Sequence, residues 1–144
     1  MGGPPFFYMQ KLFHFDCPRE HYQADACVIS CYDFRFDLQV RKFLKFSDVA
    51  TYDRIKIAGS VKAVAAPDRD SDRDFVLGMV RTSIRLHNAR RLMLFAHNEC
   101  GAYSGAPAET IIADLVKAAT FFSNAEPTLK VESFVSDFDG IYGL

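Results

Sequence analysis

Three side chains of this 144-residue chain have the types and spacing to hold a soft divalent metal: Cys31, His97 and Cys100. His97 and Cys100 lie three residues apart, close enough to share one turn, whereas Cys31 comes from a remote segment. Two thiolates and one imidazole are a known zinc ligand set, and three protein ligands leave the fourth tetrahedral position free for water, as catalytic sites require. A His-x-x-Cys turn alone is common by chance. The run Cys31-Tyr32-Asp33-Phe34-Arg35 adds weight, because extended backbone sets Cys31, Asp33 and Arg35 on one side. A carboxylate beside a guanidinium stays ionised, its pKa depressed, and can accept a hydrogen bond from a metal-bound water. The same residues admit blander readings: two buried thiols with a satisfied histidine, a closed structural zinc, an ordinary Asp33–Arg35 ion pair, or Asp33 itself as the fourth ligand. Cys17-Pro-Arg-Glu-His21 offers only two ligands and reads as an exposed turn. Cys27 reads as a small buried hydrophobe, and His14 and His87 as surface residues.

Elements that could bring Cys31 and His97 together follow from hydrophobic period. Ala26 to Cys31 is short, apolar and β-branched at its centre, a strand buried on both faces. Asp37 can cap a helix through Phe46. Arg54 to Ala58 reads as a second strand, with Val61 to Ala65 continuing its apolar character into a loop. The charged run Asp68 to Asp74 reads as a solvated loop, in which Ser71 and Asp74 resemble a capping box for a helix reaching about His87. Leu92 to Ala96 is a third buried strand. Pro107 suits the first turn of a helix whose stripe is Ile111, Ile112, Leu115, Val116 and Ala119, and Pro127 forbids its continuation. A last strand, Leu129 to Ser136, precedes a turn at Asp139-Gly140. Strands alternating with helices specify an α/β fold, a mainly parallel sheet flanked by helices, in one domain over residues 26–144. In such sheets, ligand crevices form beyond the carboxyl ends of the strands, where Cys31 and the His97 turn fall.

Seventeen basic against eighteen acidic residues give a net charge of −1, which supplies no broad positive field for nucleic acid. No apolar run approaches the roughly 20 residues that span a bilayer, and the opening residues lack the basic and apolar regions of a secretory signal. The expectation is a cytoplasmic protein with reduced thiols. Residues 1–25, rich in aromatics (Phe6, Phe7, Tyr8, Phe13, Phe15) and carrying Pro4, Pro5 and Pro18, read as an extended arm whose apolar surface needs cover from its own core or a second subunit.

Cys-x-Asp-x-Arg followed by a strand ending in His-x-x-Cys-Gly resembles the zinc signature of the β-class carbonic anhydrases, and the likeness spans roughly Ala26 to Gly140. The resemblance implies one zinc per chain on Cys31, His97 and Cys100, with Asp33 and Arg35 as the catalytic dyad. It also implies reversible hydration of carbon dioxide to bicarbonate by zinc-bound hydroxide, and a homodimer with the arm crossing to the partner. Carbonyl sulfide or carbon disulfide hydrolysis on the same site, and a non-catalytic structural-zinc module walled off by Tyr32 and Phe34, are the alternatives. Tyr32 and Phe34 stand where the family has small residues, and Ala58-Gly59-Ser60-Val61 replaces the family's Asn-Ala-Gly-Asn stretch. Gln23 lies near the spacing of a family glutamine that contributes to substrate binding.

Overall fold

Alternation along two adjacent strands decides the layering. In β1 (Ala26–Ser30) and β3 (Arg91–His97), Cys27, Ile29, Leu92 and Leu94 point to one face while Ala26, Val28, Met93 and Phe95 point to the other, all buried. A strand apolar on both sides needs cover on both sides. The structure, a computed structural model, describes residues 9–144 and supplies that cover. Helix α1 (Asp37–Phe46) lays Val40 and Leu44 on the second face. Helices α2 (Lys62–Ala65), α3 (Asp70–His87) and α4 (Ala108–Ala125) close the first with Val64, Val76, Val80, Ile111, Leu115 and Phe122. With β2 (Tyr52–Lys56), β4 (Lys130–Asp137) and β5 (Gly140–Gly143), the sheet runs β2-β1-β3-β4-β5, parallel except for the β4–β5 pair. The expected α/β class and mainly parallel sheet are thus observed.

Local departures have local causes. Val61 to Ala65 does not prolong an extended segment: left-handed Gly59 and Ser60 turn the chain into α2, and the Ser60 hydroxyl donates to the Phe95 carbonyl at 2.7 Å. The Ser71–Asp74 capping box does not form, because α3 starts earlier, with Arg69 extended before it and Asp70 and Asp72 in the first turn, where acids suit the helix dipole. The stripe of α4 is Ile111, Leu115, Ala118 and Phe122, so Val116 faces solvent. Pro107 precedes that helix rather than opening it. The final turn is Phe138-Asp139, one residue earlier than Asp139-Gly140, and it leads into β5, an edge strand the sequence reading omits.

Pro4, Pro5, Phe6, Phe7 and Tyr8 of the arm lie outside the described residues. From Met9 to Gln23 the chain has no regular structure, and Leu12, Phe13 and Phe15 are exposed. No helix among the described residues is long and apolar enough to cross a membrane.

His87 is not a plain surface residue. Its Nδ1 lies 2.7 Å from Asp53, whose carboxylate also accepts from the Ser83 hydroxyl at 2.7 Å and from Tyr22, and Tyr22 stacks on the imidazole at 4.0 Å. Burial opposes ionisation of Asp53, but the hydrogen bonds from Tyr22, Ser83 and His87 outweigh it and hold the carboxyl below its ordinary value. A depressed folded-state pKa stabilises the fold above the unfolded value near 3.8 and ceases to do so as pH falls through the folded one. Asp53→Ala, which strands Ser83 and His87, is expected to cost about 2 kcal/mol at pH 7 in urea denaturation. The difference from wild type should shrink below pH 3.8; a constant difference down to strongly acid pH would contradict the assignment.

Candidate metal centre

β1 and β3 are parallel neighbours, with Ile29 beside Leu94. Continuing that register puts Cys31, the residue after the end of β1, next to the last residues of β3. Beyond His97 the chain reverses through Glu99, whose φ of 54° is left-handed, and brings Cys100 back under the strand end. The ligand atoms of Cys31, His97 and Cys100 all lie within 4.8 Å of one another. Donors of a tetrahedral zinc stand about 3.5–3.8 Å apart, so a small contraction closes the set. No other group of three or more such side chains converges among the described residues.

The donors are prepared for a cation. The His97 ring packs against Phe36 at 4.6 Å, and its Nδ1 lies 2.7 Å from the Asn98 carbonyl, which can only accept. Nδ1 therefore carries the proton, and the lone pair of Nε2 faces the thiols. That Nε2 is buried and has no hydrogen-bond partner. A buried orphaned nitrogen beside two sulfurs is a costly arrangement for a plain core and a fitting one for a metal site. Burial disfavours ionisation of Cys31, yet its place beside the His97 imidazole and the backbone N–H groups of Gly59 and Asp33 brings its thiol down to about 7. Burial pushes the Cys100 thiol up. Gly59 has a steric role here: its φ is +78°, and a Cβ would meet Ala102 and Lys62 at 3.1 Å.

Asp33 and Arg35 meet beside this trio, though not through an extended strand. Phe34 to Phe36 form one 3₁₀ turn, and Asp33 caps it by accepting from the Arg35 backbone N–H at 3.0 Å. The same carboxylate takes the guanidinium in a fork, with Nε at 3.1 and 3.2 Å and Nη2 at 2.7 Å. Arg35 chiefly, through these hydrogen bonds, holds the Asp33 carboxyl below its ordinary value. Asp33 Oδ2 stands 3.7 Å from His97 Nε2, at the mouth of the trio. Alongside runs a surface cleft of about 480 Å³ lined by Asn98, Glu99, Cys100, Gly101, Gly105 and Ala106. The arrangement offers three donors that could hold a metal, an ionised acceptor next to them and a surface cleft that reaches Cys100.

Other singled-out residues fall elsewhere. Tyr32 and Phe34 are 67% and 89% exposed and do not wall the site. Gln23 precedes β1, at the opposite end of that five-residue strand from Cys31. Cys17 is exposed and Cys27 buried, its thiol pushed up to about 12 by burial. His14 is exposed near Asp16, and the His21 ring lies tilted against His87 at 5.4 Å rather than joining a ligand set. The sequence reading gave no role to Phe36 or Phe138, which contact the site; the only sequence signal was an aromatic beside Arg35, which the strand reading turned away.

An open α/β sheet gathers Cys31, His97 and Cys100 at its strand ends, in a cluster that could hold a metal ion. The chain belongs to the family described as "Putative carbonic anhydrase", whose model matches residues 22–140. An uncharacterized protein of Rickettsia bellii is 24% identical over 148 residues, covering 92% of this chain and 90% of that one. Among solved structures, a carbonic anhydrase from Streptococcus mutans shares the fold with a TM-score of 0.65 at 12% identity, over 90% of this chain and 87% of that one. Tetrameric β-carbonic anhydrases from Sordaria macrospora give 0.57 at 12% identity, over 85% and 81%. A carbon disulfide hydrolase in its apo form gives 0.54 at 10% identity, over 85% and 80%. The fold is that of the β-carbonic anhydrases.

Proposed function

We infer that the protein is a zinc-dependent carbonate dehydratase, a lyase that reversibly hydrates carbon dioxide to bicarbonate. The observation that carries this reading is the forked Arg35–Asp33 pair standing 3.7 Å from the unpartnered nitrogen of His97. Bound by Cys31, His97 and Cys100, one zinc per chain would supply the Lewis acidity that brings the pKa of a water toward about 7. The protein's own groups do the rest. The Asn98 carbonyl fixes the imidazole tautomer, and Arg35 keeps Asp33 ionised and turned toward the seat. Asp33 accepts a hydrogen bond from the attacking water and so aims its lone pair at the carbon of a small linear electrophile. Two thiolates weaken the metal's acidity relative to three imidazoles, which makes that orientation more valuable. Both Asp33 oxygens accept from Arg35, which favours the carboxylate as an acceptor for water over a role as fourth ligand.

Stopped-flow hydration by the zinc-loaded protein, run beside carbonyl sulfide and carbon disulfide as substrates, tests the reading. Turnover of carbon dioxide above buffer, lost on chelation and restored by zinc, is expected. Preference for a sulfur substrate would reassign the chemistry, and inactivity on all three would favour a non-catalytic zinc module.

The same proposal includes a homodimer or larger homo-oligomer in a reducing, cytoplasmic setting that suits four free thiols. Leu12, Phe13 and Phe15 lie uncovered on the single chain, and a second copy supplies the cover. Deleting residues 1–15 should yield monomer or aggregate in light scattering; an unchanged oligomer would argue against the arm's role.

A further inference from the structure

The Asp33–Arg35 pair is held from outside by a segment a hundred residues away. The guanidinium carbon of Arg35 sits 5.3 Å from the centroid of the Phe138 ring and 5.6 Å from that of Phe36, both within cation–π range. Phe36 and Phe138 meet each other at 5.1 Å, and Phe36 is the ring that packs on His97. Arg35 Nη2 also donates to the Glu99 carbonyl at 3.3 Å, tying the guanidinium to the His97–Cys100 turn. Phe138 occupies the two-residue turn between β4 and β5, and that turn is itself fastened. The Gln39 amide donates to the Asp137 carbonyl at 2.7 Å, and the Asp137 carboxylate accepts the Phe138 backbone N–H at 2.9 Å. The earlier placement of this turn, at Phe138-Asp139, is what presents the ring to Arg35. Phe138 is more than half exposed, so its ring lies at the surface against the Arg35 guanidinium.

We propose that Phe138 is a positioning residue for the site. Its ring, with Phe36, holds the Arg35 guanidinium in the plane that engages both oxygens of Asp33, so the β4–β5 turn sets the orientation of the carboxylate beside the metal seat. Arg35 is half-exposed even with the ring in place; without it the guanidinium is free to swing into water, and Asp33 loses its outer restraint. The effect runs through Arg35 and involves no contact of Phe138 with substrate. The proposal rests on the dehydratase reading for its catalytic consequence, but not for its structural one.

The test uses the full-length, zinc-loaded protein and three versions of position 138: Phe, Leu and Tyr. The primary readout is solvent exchange of the Arg35 Nε–H, followed by NMR on arginine-labelled protein, with Arg35→Lys identifying the resonance. Phe138→Leu keeps an apolar side chain but removes the π-face, and should speed that exchange several-fold. Phe138→Tyr keeps the face and should leave it at the wild-type rate. Zinc content should be equal in all three. In carbon dioxide hydration, Phe138→Leu should lower kcat about two- to fivefold, the size of one exposed cation–π contact, with Phe138→Tyr near wild type. In the Asp33→Asn background the same change should add nothing. Unchanged Nε–H exchange in Phe138→Leu, or equally fast exchange in both variants, would overturn the proposal. If the protein does not hydrate carbon dioxide, the exchange measurement still decides whether Phe138 holds Arg35, so the two failures are told apart.

Discussion

Replacing Cys100 by serine is expected to take the protein from about one zinc per chain to nearly none after dialysis against a weak chelator. A serine hydroxyl does not ionise near neutral pH and is a hard, poor donor for zinc, so a three-donor seat becomes a two-donor one. Changing mere outer-shell partners of a zinc ligand costs roughly 10–100-fold in affinity, and loss of a ligand costs more. The substitution also leaves a hydroxyl at a buried site and an unpaired Cys31 beside it, without disturbing the sheet, since Cys100 lies in the loop after β3. Elemental analysis alongside far-ultraviolet circular dichroism separates ligand loss from unfolding. A folded Cys100→Ser protein that keeps full zinc would remove Cys100 from the ligand set.

Asp33→Asn is expected to do the reverse: retain zinc and lower carbon dioxide hydration by roughly 10²-fold or more, the cost typical of lost positioning and proton-handling groups. The amide is neutral, so Arg35 no longer has a charged partner, and it can present an N–H where the water needs an acceptor. Among the described residues, only Asp33 combines proximity to His97 with a carboxyl held ionised by Arg35. Because Arg35 keeps that carboxyl below its ordinary value, protonation of Asp33 plays no part near neutral pH. If Asp33 closed the seat as a fourth ligand instead, wild type would be nearly inactive at neutral pH and gain activity in alkaline solution. A stopped-flow pH profile of both proteins distinguishes these cases, and equal rates with full zinc in each would remove Asp33 from the chemistry.

The layered α/β fold was readable because β1 and β3 have short apolar centres, and a strand buried on both faces can only sit inside a sheet covered on both sides. The convergence of Cys31 with His97 and Cys100 followed from placing Cys31 at the carboxyl end of one parallel strand and His97 and Cys100 just beyond that of another. What escaped was set by backbone geometry that residue types do not announce. Left-handed Gly59 and Ser60 turn Val61 to Ala65 from strand-like to helical. The 3₁₀ turn after Asp33 joins the dyad by a cap where alternation had suggested an extended run, and it swings Phe34 outward while burying Phe36. Neither Phe138 nor Asp139 has a positive φ, so the hairpin turn does not use the Asp-Gly pair in the way that dipeptide usually signals. The Asp53 cluster, built from Tyr22, Asp53, Ser83 and His87, gathers residues with no sequence motif in common.

The most direct test of a carbon dioxide lyase on the Cys31–His97–Cys100 seat is oxygen-18 exchange between carbon dioxide and water at chemical equilibrium, followed by mass spectrometry on protein of known zinc content. The account predicts loss of label from carbon dioxide well above the buffer rate, in proportion to bound zinc, abolished in Cys100→Ser and strongly reduced in Asp33→Asn. Exchange at the buffer rate from neutral to alkaline pH, in protein carrying one zinc per chain, would contradict it.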